Sequence, residues 1–219
     1  MNIDYSRFQN IQSFNKNAKQ KLISFNGLIK KSKVITINKS LKKSLKKPTK
    51  IFRHKNKIVK YEFNDFSKFN GTFKKLYKEL NSKNFLNILE KIFNVKKLYS
   101  DKKNFYSGIS VSTKNSKLNE HIDFNYNNKL KKYRYMNLIL YLNRNFKKKD
   151  GGIFYYRDYK SNKKKYIDPL FNNTVIFEKN KNIPHGFTTV NKKRISLNLC
   201  YYTNQNLSLS KKKHQTCWK

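Results

Sequence analysis

The stretch HIDFN at residues 121–125 decides the interpretation of the fold, because it sets a histidine and a carboxylate two positions apart. Alternate residues of a β-strand point to the same side of a sheet, so His121 and Asp123 can reach one metal ion. A further imidazole is available from His185, in the run PHGF at 184–187. Two imidazoles and one carboxylate form a metal-ligand set. A three-residue motif is weak evidence for a metal site by itself. The alternative is a structural histidine beside a surface aspartate.

The run RISLNLCYYT at 194–203 alternates polar and apolar side chains, as a strand does when one face lines a cavity. The polar positions are Arg194, Ser196, Asn198 and Cys200. A buried arginine requires an anionic partner, and Asp123 would already be engaged by the metal. The pattern therefore predicts a bound carboxylate beside the metal. A structural ion pair of Arg194 is the alternative.

Strand-like segments fill the chain from about residue 105 onward. They are short and are separated by polar loops, which favours an antiparallel sandwich or barrel over alternating strands and helices. The predicted strands cover residues 106–113, 120–126, 136–143, 152–156, 174–179, 187–190 and 195–202.

Two helices are predicted before these strands, between about residues 73 and 99. Phe73, Leu76, Tyr77 and Leu80 follow helical spacing and share one face. Ser82 is then placed to cap a second apolar helix. Because each helix must bury one face, both are expected to pack on a sheet.

The first 60 residues are polar and basic, and we expect a loosely attached arm with strands at 34–37 and 57–63. His54 lies in basic surroundings and is predicted to be a surface residue. The glycines are few, and Gly151-Gly152 and Gly186 fall at the joints of the predicted site, where they indicate special backbone requirements.

The chain has 51 Lys and Arg against 12 Asp and Glu, a net charge of +39. This charge attracts polyanions such as nucleic acid. An A/T-rich coding sequence is the competing explanation, because the chain is also rich in Asn, Ile, Phe and Tyr. Both origins stay open at this point.

The sequence lacks a secretory signal and any apolar run long enough to span a bilayer, so we expect a soluble, intracellular (cytoplasmic) protein. Its two cysteines suggest no disulfide framework. Cys200 lies in an apolar run and is predicted to be a buried thiol, whereas Cys217 lies in a polar tail.

Residues 80–203 resemble the 2-oxoglutarate- and Fe(II)-dependent dioxygenases of the prolyl 4-hydroxylase-like type. The matching pieces follow the family order, and the order H-x-D, YLN, GG, HGF and R-x-S is specific. The pieces are FLNILEKIFNVKKLYSD, HIDFN, RYMNLILYLN at 134–143, GGIFYY at 151–156, PLFNNTVIF at 169–177, PHGF and RISLNLCYYT.

The resemblance implies a mainly β fold with flanking helices, a double-stranded β-helix (jelly-roll) barrel braced by N-terminal helices. It implies that His121, Asp123 and His185 hold Fe(II). It further implies that Arg194 binds the distal carboxylate of 2-oxoglutarate, with help from Tyr141 and from Ser196 or Asn198. O2 would be the oxidant, with ascorbate as a possible reductant, and hydroxylation of substrate would accompany decarboxylation of 2-oxoglutarate to succinate.

We therefore expect an arm at 1–60, a dioxygenase domain at 61–205 and a basic tail at 206–219. Within the domain, helices are expected at about 73–99 and the barrel at about 105–203. The substrate is left open between a prolyl residue of a protein and a small molecule or sugar precursor. The alternative function is polyanion binding by a non-catalytic jelly roll.

Overall fold

The computed structural model describes residues 1–55, 57–179, 182–207 and 212–219. The helices in this part of the chain are α1 (Val34–Ser44), α2 (Gly71–Leu80) and α3 (Lys83–Phe93). The strands are β1 (Leu22–Asn26), β2 (Lys50–His54), β3 (Lys57–Phe63), β4 (Tyr99–Ser100), β5 (Gly108–Ser112), β6 (Leu118–Ile122), β7 (Tyr126–Asn127), β8 (Lys132–Tyr141), β9 (Phe154–Arg157), β10 (Lys164–Ile167), β11 (Asn173–Glu178), β12 (His185–Phe187), β13 (Arg194–Thr203) and β14 (Cys217–Trp218). None of these described helices has the length and apolar character needed to cross a bilayer.

The strands form two antiparallel sheets. The larger has the order β1-β11-β8-β13-β5-β3-β2, with β4 added to β13 and β7 added to β8. The smaller has the order β10-β9-β12-β6-β14. The expected mainly β jelly roll with flanking helices is confirmed, but no strand ladder closes the two sheets into a barrel within the described residues.

Two apolar cores hold these layers together. A small core lies between the sheets, where Phe154 of β9 meets Phe177 of β11 with ring centroids 5.7 Å apart. A larger core lies between the helices and the large sheet, and it includes Phe73, Phe85 and Leu197, none of which is exposed. The site described below opens between the two sheets, whereas the helices support the large sheet from the other side.

The two predicted helices are confirmed as α2 and α3. Ser82 caps α3, because its hydroxyl accepts a hydrogen bond from the Phe85 amide at 3.3 Å. The C-terminal end of α2 is fixed to β13, since the hydroxyl of Tyr201 donates to the Leu80 carbonyl at 2.9 Å. The helices therefore pack on a sheet, as their apolar faces predict.

The predicted strand at 34–37 is wrong, because these residues begin α1. Ile37 and Leu41 share the buried face of this helix, and Ser40 binds the N-terminal turn of α2. The Ser40 hydroxyl accepts from the Phe73 amide at 3.0 Å and donates to the Asn70 carbonyl. Packing against α2 thus overrides the β-branched preference of this segment.

The expected loose attachment of the first 60 residues is also wrong. β1 pairs with β11 at one edge of the large sheet, and β3 (matching the predicted strand at 57–63) joins β5. Near the start of the chain, the Glu79 carboxylate accepts from the amides of Asn2 at 2.7 Å and Ile3 at 3.2 Å. The proposed domain boundary at residue 60 stays a prediction.

His54 is exposed, as expected.

The other predicted strands are present with shifted ends. The strand predicted at 187–190 is β12, which begins two residues earlier, at His185. His185 therefore lies within a strand. The strands β1, β2, β4, β10 and β14 were not predicted. β10 is exposed and lysine-rich, and β14 has only two residues, so neither carries a clear alternating pattern.

Replacing Ser40 with Ala should lower the free energy of unfolding by about 1–2 kcal/mol, because the N-terminal turn of α2 loses its hydrogen-bond partner. Urea unfolding followed by circular dichroism measures the change. Ser32→Ala is the matched control, since Ser32 is exposed. Equal stability of the two variants would contradict the role given to Ser40.

Candidate iron and 2-oxoglutarate site

The two histidines of the predicted ligand set lie on neighbouring strands. β6 and β12 pair in antiparallel register with His121 opposite His185, and their ring centroids are 4.5 Å apart. Asp123 follows β6 directly. Its carboxylate oxygens lie 3.6 Å from Nε2 of His121 and 3.6 Å from Nε2 of His185. One ligand atom from each residue lies within 4.8 Å of the other two, so the three side chains converge on one point.

Backbone hydrogen bonds fix both imidazole rings. Nδ1 of His121 donates to the Asn119 carbonyl at 2.9 Å, and Nδ1 of His185 donates to the Ile183 carbonyl at 3.0 Å. A carbonyl only accepts, so the proton is on Nδ1 and the lone pair of Nε2 faces Asp123. Burial lowers the pKa of His185 to about 4, which keeps this ring neutral at physiological pH. Both rings therefore present a metal-binding nitrogen.

Asp123 is held as a carboxylate by two residues of β8. Its Oδ2 accepts from Arg134 at 3.1 Å and from Asn137 at 2.7 Å. Burial alone would raise the pKa of Asp123, but the Arg134 guanidinium beside it holds this pKa well below its usual range. An ionised carboxylate between two imidazoles whose Nε2 atoms face it has the chemistry of a site for a divalent transition metal.

Arg134 and Asn137 were not predicted as site residues, because strand alternation places positions three apart on opposite faces. The pairing of β13 with β8 is irregular here: Tyr201 lies opposite Met136, but Tyr202 lies opposite Arg134. The one extra residue in β8 brings both polar side chains to Asp123. The signal in the sequence was the segment RYMNLILYLN itself, which contains both residues.

Arg194 is 4% exposed and is surrounded by neutral groups. Its guanidinium donates to the Gly152 carbonyl at 3.1 Å, the Ser196 hydroxyl at 3.4 Å and the Tyr141 hydroxyl at 3.4 Å. In the described ranges no carboxylate lies within 4.0 Å of it. The structural ion pair considered as an alternative is therefore not found there, and the buried charge fits an anionic ligand.

Five of the seven predicted site residues line one cavity of about 580 Å³. His121, Asp123, His185, Arg194 and Asn198 all line it. Tyr141 and Ser196 are fully buried and contact Arg194 from behind. All seven predicted side chains therefore lie at or directly behind one surface.

Two glycines keep this surface open. Gly152 has φ +62°, and a Cβ at this position would lie 2.7 Å from Cδ of Arg194. A Cβ on Gly186 would lie 2.4 Å from the Leu118 carbonyl oxygen. Larger residues would therefore displace Arg194 in the first case and β6 in the second, which explains why glycines fall at these joints.

Sequence reasoning also missed Trp218 of β14, which lines the same cavity. Its ring centroid lies 5.0 Å from that of His121. The tail in which it lies has no pattern that predicts a strand, so its pairing with β6 could not be anticipated. Cys217, expected only as a tail residue, is the other residue of β14.

A comparison with known families decides the assignment. Residues 107–202, which contain both histidines, Asp123 and Arg194, match the 2OG-Fe(II) oxygenase superfamily. These residues form a 2OG-Fe(II) oxygenase domain. The match supports a 2-oxoglutarate-dependent dioxygenase, and the matched superfamily uses Fe(II), 2-oxoglutarate and O2. No curated protein sequence is significantly similar to the chain.

Solved prolyl hydroxylases share the fold of this oxygenase. A prolyl hydroxylase from Trichoplax adhaerens, solved with a peptide fragment of the hypoxia inducible factor oxygen degradation domain, is similar with a TM-score of 0.63 and 16% identity, over 90% of this chain and 89% of that one. A prolyl 4-hydroxylase from Phytophthora capsici has a TM-score of 0.62 and 14% identity, over 95% and 68%. One from Pseudomonas putida has a TM-score of 0.59 and 10% identity, over 86% and 95%. At these identities the likeness establishes the fold.

The two cysteines of the oxygenase should differ sharply in reactivity. Burial raises the pKa of Cys200 to about 11, so about one thiol in a thousand is ionised at pH 8. Cys217 is exposed. We expect Ellman's reagent to modify one thiol of the folded chain. Cys217→Ser should abolish this reaction and Cys200→Ser should preserve it; rapid modification of both thiols would contradict the burial of Cys200.

Proposed function

We propose that this oxygenase is a hydroxylase in which His121, Asp123 and His185 hold Fe(II) and Arg194 binds 2-oxoglutarate. One observation carries the proposal: three convergent metal-binding side chains share a cavity with a buried arginine that contacts neutral groups. Ligands of one metal ion at about 2.1 Å each lie about 3 to 4 Å from one another, and the observed separations of 3.6 Å agree with this requirement.

When bound, Fe(II) with 2-oxoglutarate and O2 supplies the oxidation: one oxygen atom enters the substrate as a hydroxyl group, and the other enters succinate as CO2 is lost. The side chains of the protein bind, orient and exclude water. The backbone carbonyls of Asn119 and Ile183 fix the tautomers of the His121 and His185 rings. Arg134 and Asn137 keep Asp123 ionised and oriented.

Arg194 is the proposed partner of the distal carboxylate of 2-oxoglutarate. Its guanidinium lies between the rings of Tyr141 at 4.9 Å and Phe187 at 4.5 Å, which fix its position. The Tyr141 hydroxyl is available to donate to the same carboxylate. Asn198 lines the cavity four residues after Arg194 along β13, whereas Ser196 acts through its contact with Arg194. The sequence resemblance assigns the same roles.

A prolyl residue of a protein is the substrate class we favour. The support is the shared fold of the prolyl hydroxylases, of which the Trichoplax adhaerens protein was solved with a peptide. The cavity also opens beside the β2–β3 hairpin, where Phe52 is 38% exposed and lines its wall. A small molecule or sugar precursor is the second candidate. Ascorbate is proposed only as a reductant that keeps the iron ferrous.

Polyanion binding without catalysis is less well supported. The net charge is +39, but two of the cationic side chains that line the cavity are already paired. Lys60 binds Glu62 at 2.7 Å, and Arg134 binds Asp123 at 3.1 Å. A steep loss of nucleic-acid affinity with salt, in a protein that binds neither Fe(II) nor 2-oxoglutarate, would favour this alternative.

Anaerobic addition of Fe(II) and 2-oxoglutarate should give the weak visible charge-transfer band of their chelate. We expect His121→Ala to lose the band, because one of the three ligands is removed. His54→Ala is the matched control, since His54 is exposed. If no band forms in the parent chain, or if His121→Ala retains it fully, the proposed iron site is wrong.

Arg194→Ala should raise the 2-oxoglutarate concentration needed for half-maximal band formation about 100-fold, because a buried charge-assisted contact is lost. Metal affinity, measured by calorimetry with Co(II) alone, should stay within about twofold of the parent value. Arg144→Ala is the control, since Arg144 is exposed. An unchanged 2-oxoglutarate requirement in Arg194→Ala would exclude the assigned role.

The substrate class is tested by succinate production in the presence of peptide, nucleotide-sugar and nucleic-acid pools. Stimulation by proline-containing peptides, with mass spectrometry showing addition of one oxygen atom to proline, would support the favoured substrate. Stimulation only by nucleotide sugars would support the second candidate and contradict the first.

A further inference from the structure

Residues 212–219, which we call the strap, lie along the strand that carries His121. β14 pairs with β6 with Cys217 opposite Ile122 and Trp218 opposite His121. The amide of Lys219 donates to the Glu120 carbonyl at 2.9 Å. Because β12 occupies the other side of β6, the strap places the His121 strand between two hydrogen-bonded neighbours.

A second group of contacts holds the strap beyond Asp123. The side-chain oxygen of Asn125 accepts from the His214 amide at 2.8 Å, and its side-chain nitrogen donates to the Lys212 carbonyl at 2.9 Å. The Asn125 amide donates to the His214 carbonyl at 3.2 Å. The strap is therefore hydrogen-bonded to residues 120–122, which precede Asp123, and to Asn125, which follows it.

Trp218 projects from the strap into the site. Its ring lies against that of His121, with centroids 5.0 Å apart and planes tilted by 37°. The residue is still 62% exposed, and it lines the cavity together with Gln215 and Thr216. The indole therefore has one face on the imidazole and a large free surface at the cavity mouth.

These contacts restrict His121 from the side opposite to His185. The Nδ1 hydrogen bond to Asn119 fixes the tautomer but lets the ring rock about its bonds. A flat aromatic neighbour limits that motion, and ordered support of a metal-bound histidine raises metal affinity. The open face of the indole is also suited to contact a substrate at the cavity mouth.

We propose that the strap is part of the active site, with Trp218 a positioning residue for His121 and a wall of the substrate entrance. This inference rests on the proposed iron site. It assigns a function to residues 212–219, outside the matched family segment at 107–202.

The chain has one tryptophan, so its indole fluorescence reports on the strap directly. Co(II) quenches a fluorophore a few ångströms away. We expect addition of Co(II) to quench most of the Trp218 emission, with the same midpoint as binding measured by calorimetry. Co(II) binding in calorimetry without quenching would overturn the strap proposal while leaving the iron site intact. Absence of Co(II) binding would overturn the proposed function and with it this inference.

Substitution separates positioning from simple stability. Trp218→Ala should weaken Co(II) binding roughly tenfold, in the range seen when groups that support a metal ligand are lost. Trp218→Phe should restore most of the affinity, because a flat ring again lies against His121. Tyr166→Ala is the control, since Tyr166 is 59% exposed on β10 at the other edge of the same sheet.

Thermal melts of all variants accompany the binding measurements. The proposal predicts weaker metal binding in Trp218→Ala with an unchanged melting temperature. Parent-like affinity in Trp218→Ala would contradict it. Equal losses in Trp218→Ala and Trp218→Phe, together with lower melting temperatures, would also contradict it, because the effect would then be general destabilisation. Deletion of 212–219 that strengthens metal binding or succinate production would show an inhibitory strap instead.

Discussion

The antiparallel pairing of β6 with β12 is the constraint on which the site depends. It sets His121 opposite His185, although the two are 64 positions apart in the chain (185 − 121 = 64). Once this register is fixed, Asp123 follows at the end of β6 and completes the ligand set. A slip of one residue would turn one imidazole to the other face of the sheet. Gly186, whose missing side chain admits Leu118 of β6, permits this close approach.

The charged side chains at the centre of the site set a second constraint, on which ligands can bind there. Of the charged groups described at the centre of the site, Asp123 is negative, and Arg134 and Arg194 are positive, so their sum is −1 + 2 = +1. Arg134 is matched by Asp123, whereas Arg194 contacts neutral groups, and its charge is the one that an anionic co-substrate would balance.

Much of this arrangement could be predicted from the sequence, because it follows from local patterns. Strand alternation placed His121 beside Asp123, helical spacing located α2 and α3, and Ser82 marked the start of α3. The rest depends on contacts distant in sequence. Residues 34–37 became helical through Ser40 and α2, the extra residue in β8 redirected Arg134, and β14 forms by pairing with β6. The cationic composition left polyanion binding and an A/T-rich coding sequence both open, and it did not locate a site.

The most direct test of the account is a crystal structure with Mn(II), as a redox-stable substitute for Fe(II), and 2-oxoglutarate, with the metal located by anomalous scattering. The account predicts one metal ion about 2.1 Å from Nε2 of His121, Nε2 of His185 and a carboxylate oxygen of Asp123. It also predicts the distal carboxylate of 2-oxoglutarate in hydrogen-bond contact with Arg194. A metal ion bound elsewhere, or a distal carboxylate directed away from Arg194, would contradict it.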